Sequence, residues 1–141
     1  MYENIITNSD EALCHLFLHC CFKDGSFTTE EIDEVAAQFA SLEMQKDLNF
    51  KDELVKYRSY KSTITDENAY IGELIKAINP FNNLALYSYC VELGLSDNAL
   101  EFSEMSLLKI IASFLQIDEQ QQETIQQLMV QRKVVETQKF F

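Results

Sequence analysis

Chain breakers are scarce. Three glycines and one proline serve 141 residues, which favours long helices over a turn-rich architecture. No stretch of any length alternates apolar and polar residues, so no sheet is expected. No apolar run reaches the roughly 18 residues of a membrane span. The opening Met1-Tyr2-Glu3-Asn4 is polar and acidic, and no basic segment precedes an apolar one, so no leader is expected. Basic residues are also few, 11 against 23 acidic, for a net charge of −12. That balance repels nucleic acid and anionic membrane surfaces and suits cations or a basic protein partner. Gly-rich phosphate loops, basic patches and nucleophile elbows are all missing.

What is present is a helical pattern. Hydrophobic residues make up 47% and charged ones 24%, the balance of a soluble globular protein. The length suits one domain over residues 1–141, with its core at about 10–130. Ser9 or Asp10 can cap a first helix running to about Lys23, apolar on most sides and hence central. Asp24-Gly25 stops it. Thr28 and Glu31 form a capping box for a second helix with Ile32, Val35, Ala36, Phe39 and Leu42 on one face. A third, more exposed helix is expected from about Phe50 to Lys61. A fourth is capped by Thr65 or Asp66 and ends at Asn79-Pro80. The fifth runs from Phe81, with Pro80 in its first turn, to about Leu95. A sixth carries Met105, Leu108, Ile111, Ala112 and Leu115. Asp118 and Gln121 box the start of a seventh. The expected fold is all-α, with about seven helices.

The chain repeats itself. Asp97 follows Asp24 by 73 residues, and at that shift Leu13 falls on Leu86, Phe17 on Cys90, Glu31 on Glu104, Val35 on Leu108 and Leu42 on Leu115. The shared unit is a helix, an acidic loop and a second helix. Gly25 and Asn98 meet the same demand for a residue that tolerates a left-handed backbone. Two helix-loop-helix hairpins are therefore expected, joined by the third and fourth helices as a linking pair.

A helical pair with an Asp-Gly-x5-Glu junction, repeated before Leu108-Lys109-Ile110-Ile111-Ala112-Ser113-Phe114-Leu115, resembles the TerB-like family of tellurite resistance. The matching stretches are Leu16 to Leu42 and Leu84 to Ile117. The resemblance implies an all-α domain whose acidic inter-helix loops hold metal. It also implies a part in tellurite or other chemical-stress responses through protein assemblies, with no established catalytic activity. Asn98 replaces the second glycine of the pattern, and Leu95-Ser96 stands where such proteins often carry alanine.

Candidate ligands for a divalent cation are Asp24, Glu31, Asp97 and Glu104, with Glu30 and Glu101 as secondary ones, because hard cations need several oxygens. The structural reading competes: a stop, a cap and a capping box account for the first loop apart from Asp24 and Glu30. Gly25 and Glu31 have the spacing of the glycine and closing glutamate of an EF-hand, but Cys20 and Phe22 stand where its first carboxylates belong. His15 and His19 lie four apart among Cys14 and Cys20, in a polar stripe with Glu11 and Lys23. The repeat places them over Ser88 and Glu92, so the stripe is expected to face solvent or a rim rather than a metal. Cys14 and His15 diverge by about 100° on a helix, which argues against a nucleophile–base pair. Tyr57, Tyr60 and Tyr70 offer a protein-binding face, or else pack with their hydroxyls at the surface. The four cysteines are Cys14, Cys20, Cys21 and Cys90, and three of them fall in one eight-residue helical stretch, so reduced thiols and a cytoplasmic location are expected. The functional expectation is a non-catalytic interaction module; the alternative is an acidic immunity-type protein that neutralises a basic partner.

Overall fold

The computed structural model describes residues 2–23, 28–42, 48–96, 99–100 and 102–141, with backbone alone for Glu31, Ser96, Ala99, Leu100, Phe102 and Ser103. Its helices are α1 (Ser9–Phe22), α2 (Thr29–Ser41), α3 (Phe50–Tyr60), α4 (Glu67–Ile78), α5 (Asn83–Gly94), α6 (Phe102–Leu115) and α7 (Glu119–Gln138). Two-residue strands, β1 (Leu95–Ser96) and β2 (Ala99–Leu100), pair antiparallel with Leu95 opposite Leu100 and Ser96 opposite Ala99. This ribbon was not expected; at two residues per strand it is too short to leave an alternating pattern.

The chain divides into two compact units, residues 1–79 and 80–141. In the first, α1 packs on α2, α3 and α4. The expected linking pair thus belongs to the body of this unit. From Glu11 to Cys20 every residue of α1 is buried, which its all-round apolar sequence dictates. Phe17, Leu16, Leu18 and Phe22 are among the largest fully buried side chains. Tyr2, in a 3-10 turn at residues 2–4 where a frayed start was expected, lays its ring edge-on to Tyr70 at 4.8 Å between centroids. In the second unit α5 packs on α6 and α7, around Leu86, Tyr87, Val91, Leu107, Leu108 and Ile111. Of the expected apolar residues on α7, Met129 is buried and Leu128 exposed; Leu84 and Met105 are also exposed.

Asparagine sets several helix starts. Asn8 caps α1 by accepting the Glu11 N–H at 2.9 Å, in place of Ser9 or Asp10, which already lie inside the helix. Asn49 caps α3, and Asn82 caps α5 by accepting from Ala85. Helix α5 accordingly starts at Asn83 and not at Phe81, which is fully exposed. Asp66 and the Asp118–Gln121 box cap α4 and α7 as expected.

Helix α6 closes on a left-handed Gln116 (φ 59°). The Ile117 N–H reaches back to the Ala112 carbonyl at 3.0 Å, which completes the closure. A side chain bearing a Cβ is disfavoured there. Gln116→Gly is expected to stabilise the chain by about 1 kcal/mol, read as a raised urea midpoint.

Candidate functional site

The polar stripe of α1 is a buried hydrogen-bond network. His15 is 0% exposed and His19 4%, so the expectation of a solvent-facing stripe is corrected. The reason lies in α3 and α4, which cover this face of α1 with their own polar groups. His15 Nε2 meets Glu53 Oε1 at 2.9 Å, and its Nδ1 meets the Tyr60 hydroxyl at 2.6 Å. That hydroxyl meets the Tyr70 hydroxyl at 2.6 Å. One turn along, His19 Nε2 meets Glu67 Oε2 at 2.8 Å and Nδ1 meets the Tyr57 hydroxyl at 2.8 Å. Lys23 Nζ donates to Glu67, and Lys61 Nζ donates to the Phe22 carbonyl.

The donors can be assigned. Lys56 Nζ donates to Glu53 Oε2 at 3.1 Å, so Glu53 acts as a carboxylate accepting on both oxygens. His15 Nε2 must then be the N–H, and Nδ1 accepts from Tyr60, whose oxygen accepts from Tyr70. The same logic gives His19 an Nε2–H donating to Glu67 and an Nδ1 accepting from Tyr57. Each ladder is fully satisfied with a neutral imidazole.

Electrostatics agree with that assignment. Burial lowers both imidazole pKa values from the ordinary range, and the hydrogen bonds to Glu53 and Glu67 only partly oppose it. The His19 hydrogen bond, then that of Lys23, brings Glu67 down to about 2 against the opposing effect of burial. Burial raises Tyr57, Tyr60 and Tyr70 and the Cys14 thiol, so these groups stay protonated. Tyr57, Tyr60 and Tyr70 are 0% exposed. They form neither a protein-binding face nor a set with surface hydroxyls; Tyr57 and Tyr60 bond to the two histidines, and Tyr70 to Tyr60. Glu11 is also buried: its Oε1 accepts from Thr7 and the Asn8 side chain, and its Oε2 has no hydrogen-bond partner among the described residues.

Sequence reasoning missed this network, although a signal existed. Glu53, Tyr57 and Tyr60 stand at i, i+4 and i+7, a polar stripe that matches the four-residue spacing of Glu11, His15, His19 and Lys23.

The acidic junctions stand differently. Asp24, Asp97 and Glu101 lie outside the described residues, as do Gly25 and Asn98. Glu30 is exposed in the first turn of α2, and Glu31 follows it with its side chain outside the description, so the Thr28–Glu31 box falls there too. Glu104 is half-buried in the first turn of α6. Strands β1 and β2 flank Asp97-Asn98 in sequence. Among the described residues, no group of three or more His, Cys, Asp and Glu side chains is arranged to hold a metal ion. Nor is any described helix long and apolar enough to cross a membrane.

The family model described as tellurite resistance protein TerB matches residues 10–127. The chain belongs to the TerB family. That match runs from the second residue of α1 into α7, across both units of this TerB-family chain. No curated protein and no solved structure matched it.

Proposed function

We propose that this TerB-family chain is a non-catalytic module that joins protein assemblies in a tellurite or related chemical-stress response, with a divalent cation held at its acidic inter-helix junctions. The family match, spanning both helical pairs, carries the reading. The candidate ligands Asp24, Glu31, Asp97 and Glu104, with Glu30 and Glu101, are all carboxylates. Such hard oxygen donors suit Ca²⁺, Mg²⁺ or Mn²⁺ better than Zn²⁺. The four cysteines, none of them in a disulfide among the described residues, fit a reducing, cytoplasmic setting.

Calorimetric titration with Ca²⁺, Mg²⁺, Mn²⁺ and Zn²⁺ tests the cation. The expected result is saturable heat from one of the hard cations and its loss in Asp24→Ala/Asp97→Ala. No heat from the wild-type chain would remove the cation from the proposal.

The net charge of −12 favours a second reading, an acidic immunity-type protein that binds and neutralises a basic partner. It predicts a basic toxin encoded beside the gene and binding that weakens steeply with salt. Capture of partners that does not respond to salt supports the assembly module instead.

A further inference from the structure

The chain has two histidines, and both stand in the ladders on α1. Histidine is the side chain whose ordinary pKa lies near neutrality, so the groups that titrate in mild acid are gathered in one buried layer of the first unit.

The groups facing each imidazole define what a proton would do. Around His15 are Glu53, Lys56, Tyr57 and Tyr60 from α3, Tyr70 of α4 through Tyr60, and Glu11 and Cys14 of α1 itself. Around His19 are Tyr57 of α3, Glu67 and Tyr70 of α4, Lys61 of the turn at residues 61–63, and Lys23. Helix α2 also packs on α1, but its described acidic residues, Glu30, Asp33 and Glu34, are exposed.

An imidazolium must donate from both nitrogens. On His15 the new Nδ1–H would point at the Tyr60 oxygen, the Tyr60 proton would have to turn to the Tyr70 oxygen, and the Tyr70 proton would lose its acceptor. On His19 the Tyr57 proton would lose its acceptor in the same way. Each added proton thus buries a charge and orphans a hydroxyl where solvent cannot reach. The carboxylates of Glu53 and Glu67 offset part of this. They already accept in the neutral state, so they gain only charge and no new bond.

We propose that the two Tyr–His–Glu ladders form a proton-operated latch, which holds α1 on α3 and α4 while both imidazoles are neutral and opens the first unit in mild acid. What the latch releases includes the C-terminal end of α1, where Lys61 holds the Phe22 carbonyl and Glu67 holds His19 and Lys23. The second unit contains no histidine and stays closed. The latch does not depend on a cation at the junctions.

The direction follows from linkage. With folded imidazole pKa values below the ordinary value of about 6.5, the unfolded chain takes up protons first as pH falls. Stability is therefore full above that value and declines below it until the folded pKa is passed.

The test uses the full wild-type chain, with imidazole ¹⁵N NMR and amide hydrogen exchange corrected for intrinsic rates. At about pH 7.5 both rings are expected as the Nε2–H tautomer. Between about pH 7.5 and pH 5, protection in α1, α3 and α4 is expected to drop at least about tenfold while that of α5 and α6 holds. In His15→Gln/His19→Gln, if it folds, the drop should vanish. An Nδ1–H tautomer on either ring, an equal loss of protection in both units, or protonated rings with α1 still fully protected would each overturn the latch.

Discussion

Tyr60→Phe is expected to destabilise the chain by about 3 kcal/mol, although it removes a single oxygen atom and leaves almost no cavity. The Tyr60 hydroxyl stands in the middle of a ladder, donating to His15 Nδ1 and accepting from Tyr70. Its removal orphans an acceptor and a donor at once. Both lie at 0% exposure, so water cannot substitute, and each orphan costs about 1–3 kcal/mol. Tyr87→Phe is the internal control. Tyr87 is equally buried, but among the described residues its hydroxyl serves one partner, the half-buried Gln126 amide at 2.8 Å, which water can satisfy. That change is expected to cost about 1 kcal/mol or less. Urea unfolding followed by circular dichroism compares them. Adding Tyr70→Phe to Tyr60→Phe should cost less than the two single changes together, because the donor left stranded by the first is removed by the second. Equal losses for Tyr60→Phe and Tyr87→Phe would mean that the ladder is not satisfied as assigned.

The helices were legible because their signals are local. The Asp118–Gln121 box and the stop at Asn79-Pro80 read directly from residue type and spacing, and the cap of α4 narrowed to Thr65 or Asp66, of which Asp66 takes the place. The starts at Asn8 and Asn82 were not, since each has competitors within two residues, Ser9 and Asp10 in one case and Pro80-Phe81 in the other. Backbone geometry, not residue preference, decides which of them takes the extended conformation of a cap.

The ladders failed to emerge for a different reason. The repeat equates His15 with Ser88 and His19 with Glu92, and both counterparts are half-buried on α5. Equivalence of position is not equivalence of environment. Yet α3 and α4 lie over the stripe of α1 in the first unit, and α5 has no such pair in sequence before its own partner α6. A repeat fixes which face of a helix is polar; only packing decides whether another polar face meets it. The junction carboxylates are the converse case, clear as a sequence pattern in Asp24, Glu31, Asp97 and Glu104 but dependent on side-chain placement for any chemistry.

The ends of the two ladders should differ in worth, and Glu53→Ala against Glu67→Ala measures it. Glu53 is 3% exposed and accepts from His15 Nε2 and Lys56 Nζ. Its loss leaves the buried His15 N–H facing a void, and about 3–4 kcal/mol is expected. Glu67 makes a comparable set of bonds, to His19 and Lys23, but its side chain is 28% exposed. Water can enter when it is removed, so about 1–2 kcal/mol is expected. Glu53→Gln keeps an oxygen for His15 and the shape of the side chain, and should recover about half of the alanine loss. The pH dependence separates the two further. Because the pKa of Glu67 is lowered to about 2, its contribution is present above the ordinary carboxylate value and is lost as pH falls through that folded value. The gap between wild type and Glu67→Ala should therefore narrow as pH falls from about 4.5 towards about 2. A Glu67→Ala loss as large as that of Glu53→Ala would show that burial does not set the strength of these ladders. The ordering expected here follows from exposure alone, since the bond lengths at the two ends, 2.9 and 2.8 Å, are alike.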